Sequence, residues 1–178
     1  MKYVAFGNSG EMVSQMCLGT MMFGSRCDQA ESDRILGAAV ERGITFIDTA
    51  AMYGQGKTEE ILGEILKGRR DKLFITTKVH TGVDGETIRT SIDASLKRMQ
   101  IDRVDLYMIH WPQVGMHPVE MMEALNSVVT QGKARYVGFC NCPAWLFAHY
   151  NSIATANGWA KLVCNQVPYN LLERGIEV

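Results

Sequence analysis

Six short apolar runs recur along the chain about thirty residues apart, the length of a strand–helix–strand unit with its crossover. They are Gln15–Leu18, Thr45–Ile47, Leu73–Thr77, Asp105–Ile109, Arg135–Phe139 and Leu162–Asn165. Each is nearly continuous in Val, Ile, Leu, Phe or Tyr rather than alternating, as strands buried on both faces of a parallel sheet require.

Helical patterns with proper ends fill the intervals. Asp28-Gln29-Ala30-Glu31 has capping-box spacing, and its helix is expected to end near Gly43. Thr58 is placed to cap a helix with the stripe Ile61, Leu62, Ile65 and Leu66, ending at Gly68. Ile88, Ile92, Leu96 and Met99 share another helix face. Pro118 suits a first helical turn, with Met122, Leu125 and Val129 inward and Gly132 beyond the end. Pro143 opens the last helix and Gly158 closes it. Ahead of the repeat, Lys2–Phe6 and Met12–Val13 flank Gly7-Asn8-Ser9-Gly10, a β-hairpin that can plug the bottom of a barrel.

Uninterrupted strand–helix alternation leaves two α/β folds, an open doubly wound sheet or a (β/α)8 TIM barrel. A doubly wound dinucleotide fold calls for GxGxxG after its first strand. Leu18-Gly19-Thr20-Met21-Met22-Phe23-Gly24 is not that fingerprint, so the barrel is preferred. Eight such units need about 250 residues; the 178 residues here form a single domain, 1–178, holding about six. An open six-strand piece leaves its outer strands unpaired. The expectation is a fragment, a truncated product, or a chain that completes its barrel with another copy as a homo-oligomer.

A net charge of −1 gives no electrostatic reason to bind nucleic acid or an anionic membrane surface. No apolar run approaches the roughly 20 residues of a membrane span, and no signal stretch is visible at the start. Five cysteines, Cys17, Cys27, Cys140, Cys142 and Cys164, are odd in number and lack CxxC pairing, which fits reduced thiols in the cytoplasm and argues against a zinc site.

Chemistry in such a barrel sits at the C-terminal strand ends. Those ends carry Asp48, Lys78, His110, then Cys140-Asn141 and Asn165-Gln166, with Tyr53 a few residues beyond Asp48. An acid, an amine, an imidazole and a phenol at one mouth suit proton delivery to a carbonyl oxygen receiving a hydride. A phenol with a pKa near 10 donates poorly unless a cation lowers it; Lys78 is expected to do so, with Asp48 holding the ammonium and His110 orienting the carbonyl. No metal is needed. Taken singly, each of these residues has an ordinary structural reading; together they point to catalysis.

The motifs resemble those of the aldo-keto reductases. Gly43-Ile44-Thr45-Phe46-Ile47-Asp48-Thr49-Ala50-Ala51-Met52-Tyr53-Gly54, followed by Glu59 and Leu62-Gly63, is similar to the segment around that family's catalytic Asp and Tyr. Ile75-Thr76-Thr77-Lys78 resembles the strand ending in its Lys, and Asp105-Leu106-Tyr107-Met108-Ile109-His110-Trp111-Pro112 the strand ending in its His. The resemblance implies Tyr53 as general acid, tuned by Asp48 and Lys78, and Tyr53, His110 and Trp111 against the substrate. It implies an NADPH site at Gly19, Thr20, Met21, Asp48, Cys140, Asn141 and Gln166, with NADH open as well, and aldehydes or ketones as substrates. The style of the chain is similar to the branch holding bacterial reductases and potassium-channel β subunits, so a cofactor-sensing regulatory subunit and an inactive partial barrel stand as alternatives. Cys140 departs from the family's usual Ser, a change read as a tolerated swap of small residues. The family's last two units hold the nucleotide's phosphates and stack an aromatic on the nicotinamide; without them, weak or no nucleotide binding is expected of a 178-residue monomer.

Overall fold

A computed structural model describes residues 1–80 and 84–177. The chain opens with an antiparallel hairpin of β1 (Tyr3–Ala5) and β2 (Met12–Ser14). Then follow β3 (Cys17–Gly19), α1 (Gln29–Glu41), β4 (Phe46–Asp48), α2 (Lys57–Ile65), β5 (Phe74–Val79) and α3 (Gly85–Met99). The series ends with β6 (Val104–Ile109), α4 (Pro118–Thr130), β7 (Ala134–Cys140), α5 (Ala144–Asn157) and β8 (Leu162–Gln166). All six runs of the repeat are strands, with their ends displaced by at most two residues.

The six strands form one parallel sheet in chain order, β3 to β8. A doubly wound sheet reverses its strand order midway to place helices on both faces. Here the order never reverses, so right-handed crossovers lay the helices side by side on one face. Each helix packs against the next, from α1 through α5. The result is a curved wall of six barrel strands, with β3 and β8 each paired on one side only. The barrel expectation holds, with six strands and the five helices between them among the described residues.

Burial explains the runs. Every residue of β5 and β6 is buried, because helices cover one face and the hairpin with its neighbours covers the other. Ile47, Ile75, Tyr107, Ile109, Val137 and Phe139 join the helix-side core with Leu36, Leu62, Ile88 and Leu125. Phe74, Leu106, Met108 and Cys140 face the concave side together with Val13, Val4 and Phe6. Phe6 meets Phe46 and Phe74 at 5.8 and 5.1 Å between ring centres. Ser14 Oγ accepts from the amides of Thr45 and Phe46 at 3.0 and 3.1 Å. The hairpin therefore closes the end of the wall where the strands begin.

Asp105 ties the same end. It is buried and accepts from Ile75 N at 2.8 Å while pairing with Arg70 and Arg135 at 2.9 and 3.1 Å.

Two helix starts follow their sequence signals. Asp28 caps α1 by accepting from Glu31 N at 2.8 Å, and Pro118 sits in the first turn of α4. The expectation for Thr58 is corrected. The cap of α2 is Gly56, at φ 93°, while Thr58 lies inside the first turn and donates its hydroxyl to Phe23 O at 2.7 Å. A left-handed residue satisfies the turn there, so the hydroxyl is free to tie down the loop after β3 instead. That helix also ends at Ile65, short of the expected Gly68, and a short 3-10 turn at Arg70–Lys72 follows before β5.

Candidate active site

Side chains alternate across a strand, so the residues that end the strands on the concave side can be read by parity. Phe74, Thr76 and Lys78 face inward on β5, as do Leu106 and Met108 on β6, with His110 next in the series. On β7, Gly138 and Cys140 take the same face. The register confirms the level: Asp48 pairs with Thr76, Lys78 with Met108, and Cys140 with Gln166. Asp48, Lys78, His110, Cys140 and Gln166 thus gather at one rim.

Lys78 is wholly buried, at 0% exposure. Its Nζ lies 2.6 Å from Asp48 Oδ1 and donates to Thr49 O at 2.8 Å. A buried ammonium without such partners would be driven to neutrality. Thr20 secures the same strand end, its backbone N–H and its hydroxyl both donating to Asp48 O at 3.0 and 2.9 Å. Tyr53 opens the 3-10 turn Tyr53–Gly56 directly before α2. Lys78 Nζ stands 5.3 Å from the centre of the Tyr53 ring, and the same ring meets His110 edge-on at 6.0 Å.

The electrostatics correct one expectation. The Tyr53 phenol is shifted up, not down: burial raises it most, and Lys78 offsets only part of that rise. Proximity to a cation was legible in the sequence, but the extent of burial was not. His110 moves the opposite way, from 6.5 to about 4, through burial first and then Lys78 and His80. A neutral imidazole at physiological pH keeps one N–H and one lone pair. Its Nδ1 is buried and finds no partner among the described residues, as is true of Thr49 Oγ1, Thr76 Oγ1 and His80 Nδ1. His80, two residues beyond Lys78, packs its ring 5.4 Å from His110; the sequence reading passed over it, although period-two alternation from Lys78 points to it. Trp111 stacks beside His110 at 6.5 Å between ring centres and is 47% exposed at the rim.

The remaining predicted positions line the opposite side of the mouth. Cys140 donates to Gln166 Oε1 at 3.4 Å, and burial pushes its thiol up to about 12. Asn141 adopts a left-handed conformation, φ 56°. Its amide N–H donates to Gln166 O at 2.8 Å and its side-chain Nδ2 to His110 O at 3.3 Å. A nicotinamide ring needs amide-complementary groups and a flat approach. Two side-chain amides and a thiol at adjacent strand ends meet the first need. A Cβ placed on Gly19 would meet nothing within 4 Å, which leaves that strand end open to a planar group. The residues fit such a group. Met21, by contrast, is 53% exposed beyond Thr20. Among the described residues no set of three or more His, Cys, Asp or Glu side chains is arranged to hold a metal ion, and no helix is long and apolar enough to cross a membrane.

Comparison with known proteins bears on the family and the fold. Residues 15–177 match the model of the aldo/keto reductase family. The uncharacterized oxidoreductase YrpG of Bacillus subtilis is 36% identical over all of this chain and 61% of its own length. Norsolorinic acid reductase A of Aspergillus parasiticus is 35% identical over 85% of this chain and 45% of its own. A solved structure of the thermostable aldo-keto reductase Tm1743, in complex with the inhibitor epalrestat, superposes with a TM-score of 0.91 at 36% identity. That match takes in 99% of this chain and 66% of Tm1743. The chain spans about three fifths of the length of YrpG. A singly wound wall of strands, a strand-mouth cluster and a family match over nearly the whole chain lead to one conclusion: the chain belongs to the aldo/keto reductase family.

Proposed function

We propose that this chain carries the reacting half of a nicotinamide-dependent carbonyl reductase, converting an aldehyde or ketone to an alcohol. The observation that supports it most is the meeting of a protonated phenol, a buried ammonium and a neutral imidazole within one mouth. Cys140, Asn141 and Gln166 would hold the nicotinamide amide, beside Gly19, Thr20 and Asp48. The family resemblance favours NADPH. When bound, the dihydronicotinamide supplies a hydride to the carbonyl carbon.

The chain's own groups handle the oxygen. His110, neutral above about pH 4, donates an N–H to the carbonyl oxygen and sets its orientation. As negative charge grows on that oxygen, Tyr53 Oη transfers its proton there. Lys78 draws the phenol down against the larger rise caused by burial, which favours that transfer. Lys78, fixed by Asp48 and Thr49 O, then stabilises the phenolate. Trp111 and the exposed rim of Met52 shape the entrance.

The test is product analysis. Purified protein given NADPH and a panel of simple aldehydes should form one alcohol per nucleotide oxidised. Nucleotide bound with no alcohol formed, across the panel, would refute the reading.

A further inference from the structure

Glu59 is wholly buried, yet the reaction above does not use it. Burying a carboxylate is costly unless charge and hydrogen bonds compensate it, and apolar replacements for buried ion pairs are often at least as stable. Glu59 is fully compensated. Its Oε1 accepts from Thr77 Oγ1 at 2.5 Å, and its Oε2 pairs with Arg98 at 2.7 Å to Nε and 2.6 Å to a terminal nitrogen. These partners lie on three elements: the first turn of α2, strand β5 and the last turn of α3.

Their positions matter more than their number. Thr77 adjoins Lys78 and, by strand alternation, faces the helices while Lys78 faces the mouth. Glu59 therefore grips the strand from behind, at the residue next to the lysine. Arg98, drawn to Glu59, lies against Gly56, where an added Cβ would come within 2.9 Å of Arg98 Cδ. Gly56 ends the short turn that Tyr53 begins. One ion pair thus bears on both the lysine's strand and the tyrosine's turn.

We infer that Glu59 is a positioning residue, holding Lys78 and Tyr53 at their working separation through Thr77 and Arg98. The inference rests on the reductase reading for its kinetic effect, but the geometry it describes can be measured without turnover. Lys78 lowers the Tyr53 phenol against the rise due to burial. If the two drift apart, that offset weakens and the phenol titrates higher still.

The experiment compares Glu59→Gln, Thr77→Val and Thr77→Ser with the parent protein. Glu64→Gln, on the exposed face of the same helix and paired with Lys67, serves as control. Each protein is labelled with 13Cζ-tyrosine, and the Tyr53 signal is identified by its loss in Tyr53→Phe. Misplacement on the scale of an ångström costs about 100-fold; kcat is therefore expected to fall about 100-fold in Glu59→Gln and about tenfold in Thr77→Val, with KM within about twofold. The Tyr53 titration should move to higher pH in both, while Thr77→Ser and Glu64→Gln match the parent. If Glu59→Gln does not fold, Thr77→Val against Thr77→Ser decides. An unmoved Tyr53 titration in folded Thr77→Val, or an equal loss in Thr77→Ser, overturns the inference. A parent protein without turnover, with the Tyr53 titration still moved in Glu59→Gln and Thr77→Val, would overturn the reductase reading and leave the positioning role standing.

Discussion

Lys78 Nζ lies 2.6 Å from Asp48 Oδ1, a bond between adjacent parallel strands whose two residues end β4 and lie one place short of the end of β5. The lysine is fully buried and the aspartate nearly so, which makes the pair a coupled unit rather than a surface contact. Removing one member strands the other charge in a site of low polarity. Asp48→Ala is expected to cost about 3–5 kcal/mol of unfolding free energy, measured by urea denaturation. Lys78→Met leaves Asp48, whose side chain keeps slightly more contact with solvent than the lysine's (13% against 1%), and should cost less.

The pH dependence follows from His110. Its folded pKa is about 4 against an ordinary 6.5, so between those values the unfolded chain binds more protons than the folded one. Stability should therefore rise with pH from about 4 to 6.5 on account of this residue, and level off above. His110→Gln should flatten that part of the curve. Denaturant midpoints at pH 4.5 and 7 in both proteins check it; an unchanged slope would show that His110 is readily protonated in the folded state.

Cys140 stands beside Gln166 where a hydroxyl would bond more strongly. Cys140→Ser exchanges a weak S–H donor for an O–H donor. The gain of one improved hydrogen bond is about 0.5–1.5 kcal/mol, which should tighten nicotinamide nucleotide binding severalfold in a fluorescence titration. A weaker Kd would mean that Cys140 does not face the nucleotide.

Gly63 brings α2 against the C-terminal end of α3. A Cβ there would come within 2.5 Å of Arg98 O and 3.0 Å of the Met99 carbonyl carbon, both backbone atoms. Gly63→Ala is expected to push the helices apart and cost about 1–3 kcal/mol, read as a lowered Tm. Because Arg98 would shift with its helix, carbonyl reduction should fall as well.

The strand rhythm was legible because parallel strands buried on both faces must be continuously apolar, and β5 and β6 are buried throughout. The rim residues were legible because strand ends and period-two alternation place Asp48, Lys78 and His110 on one side. Other features were not. The Thr58 cap was misread because a glycine in left-handed conformation does the same work with no side-chain signal. The upward shift of Tyr53 depends on how much protein covers the ring, which no local pattern encodes. The Glu59–Arg98 pair joins residues 39 apart; the glutamate was visible within its motif, but its partners exist only once α2, α3 and β5 are packed together.

The proton-donor role of Tyr53 is tested most directly by single-turnover oxidation of NADPH in the presence of an aldehyde, comparing the parent protein with Tyr53→Phe. Nucleotide is raised until the rate saturates, so that weak binding cannot mask the chemistry. Loss of a general acid is expected to slow the step by about 10²–10⁴-fold while leaving the nucleotide concentration at half-saturation unchanged. Equal rates in the two proteins would contradict the account.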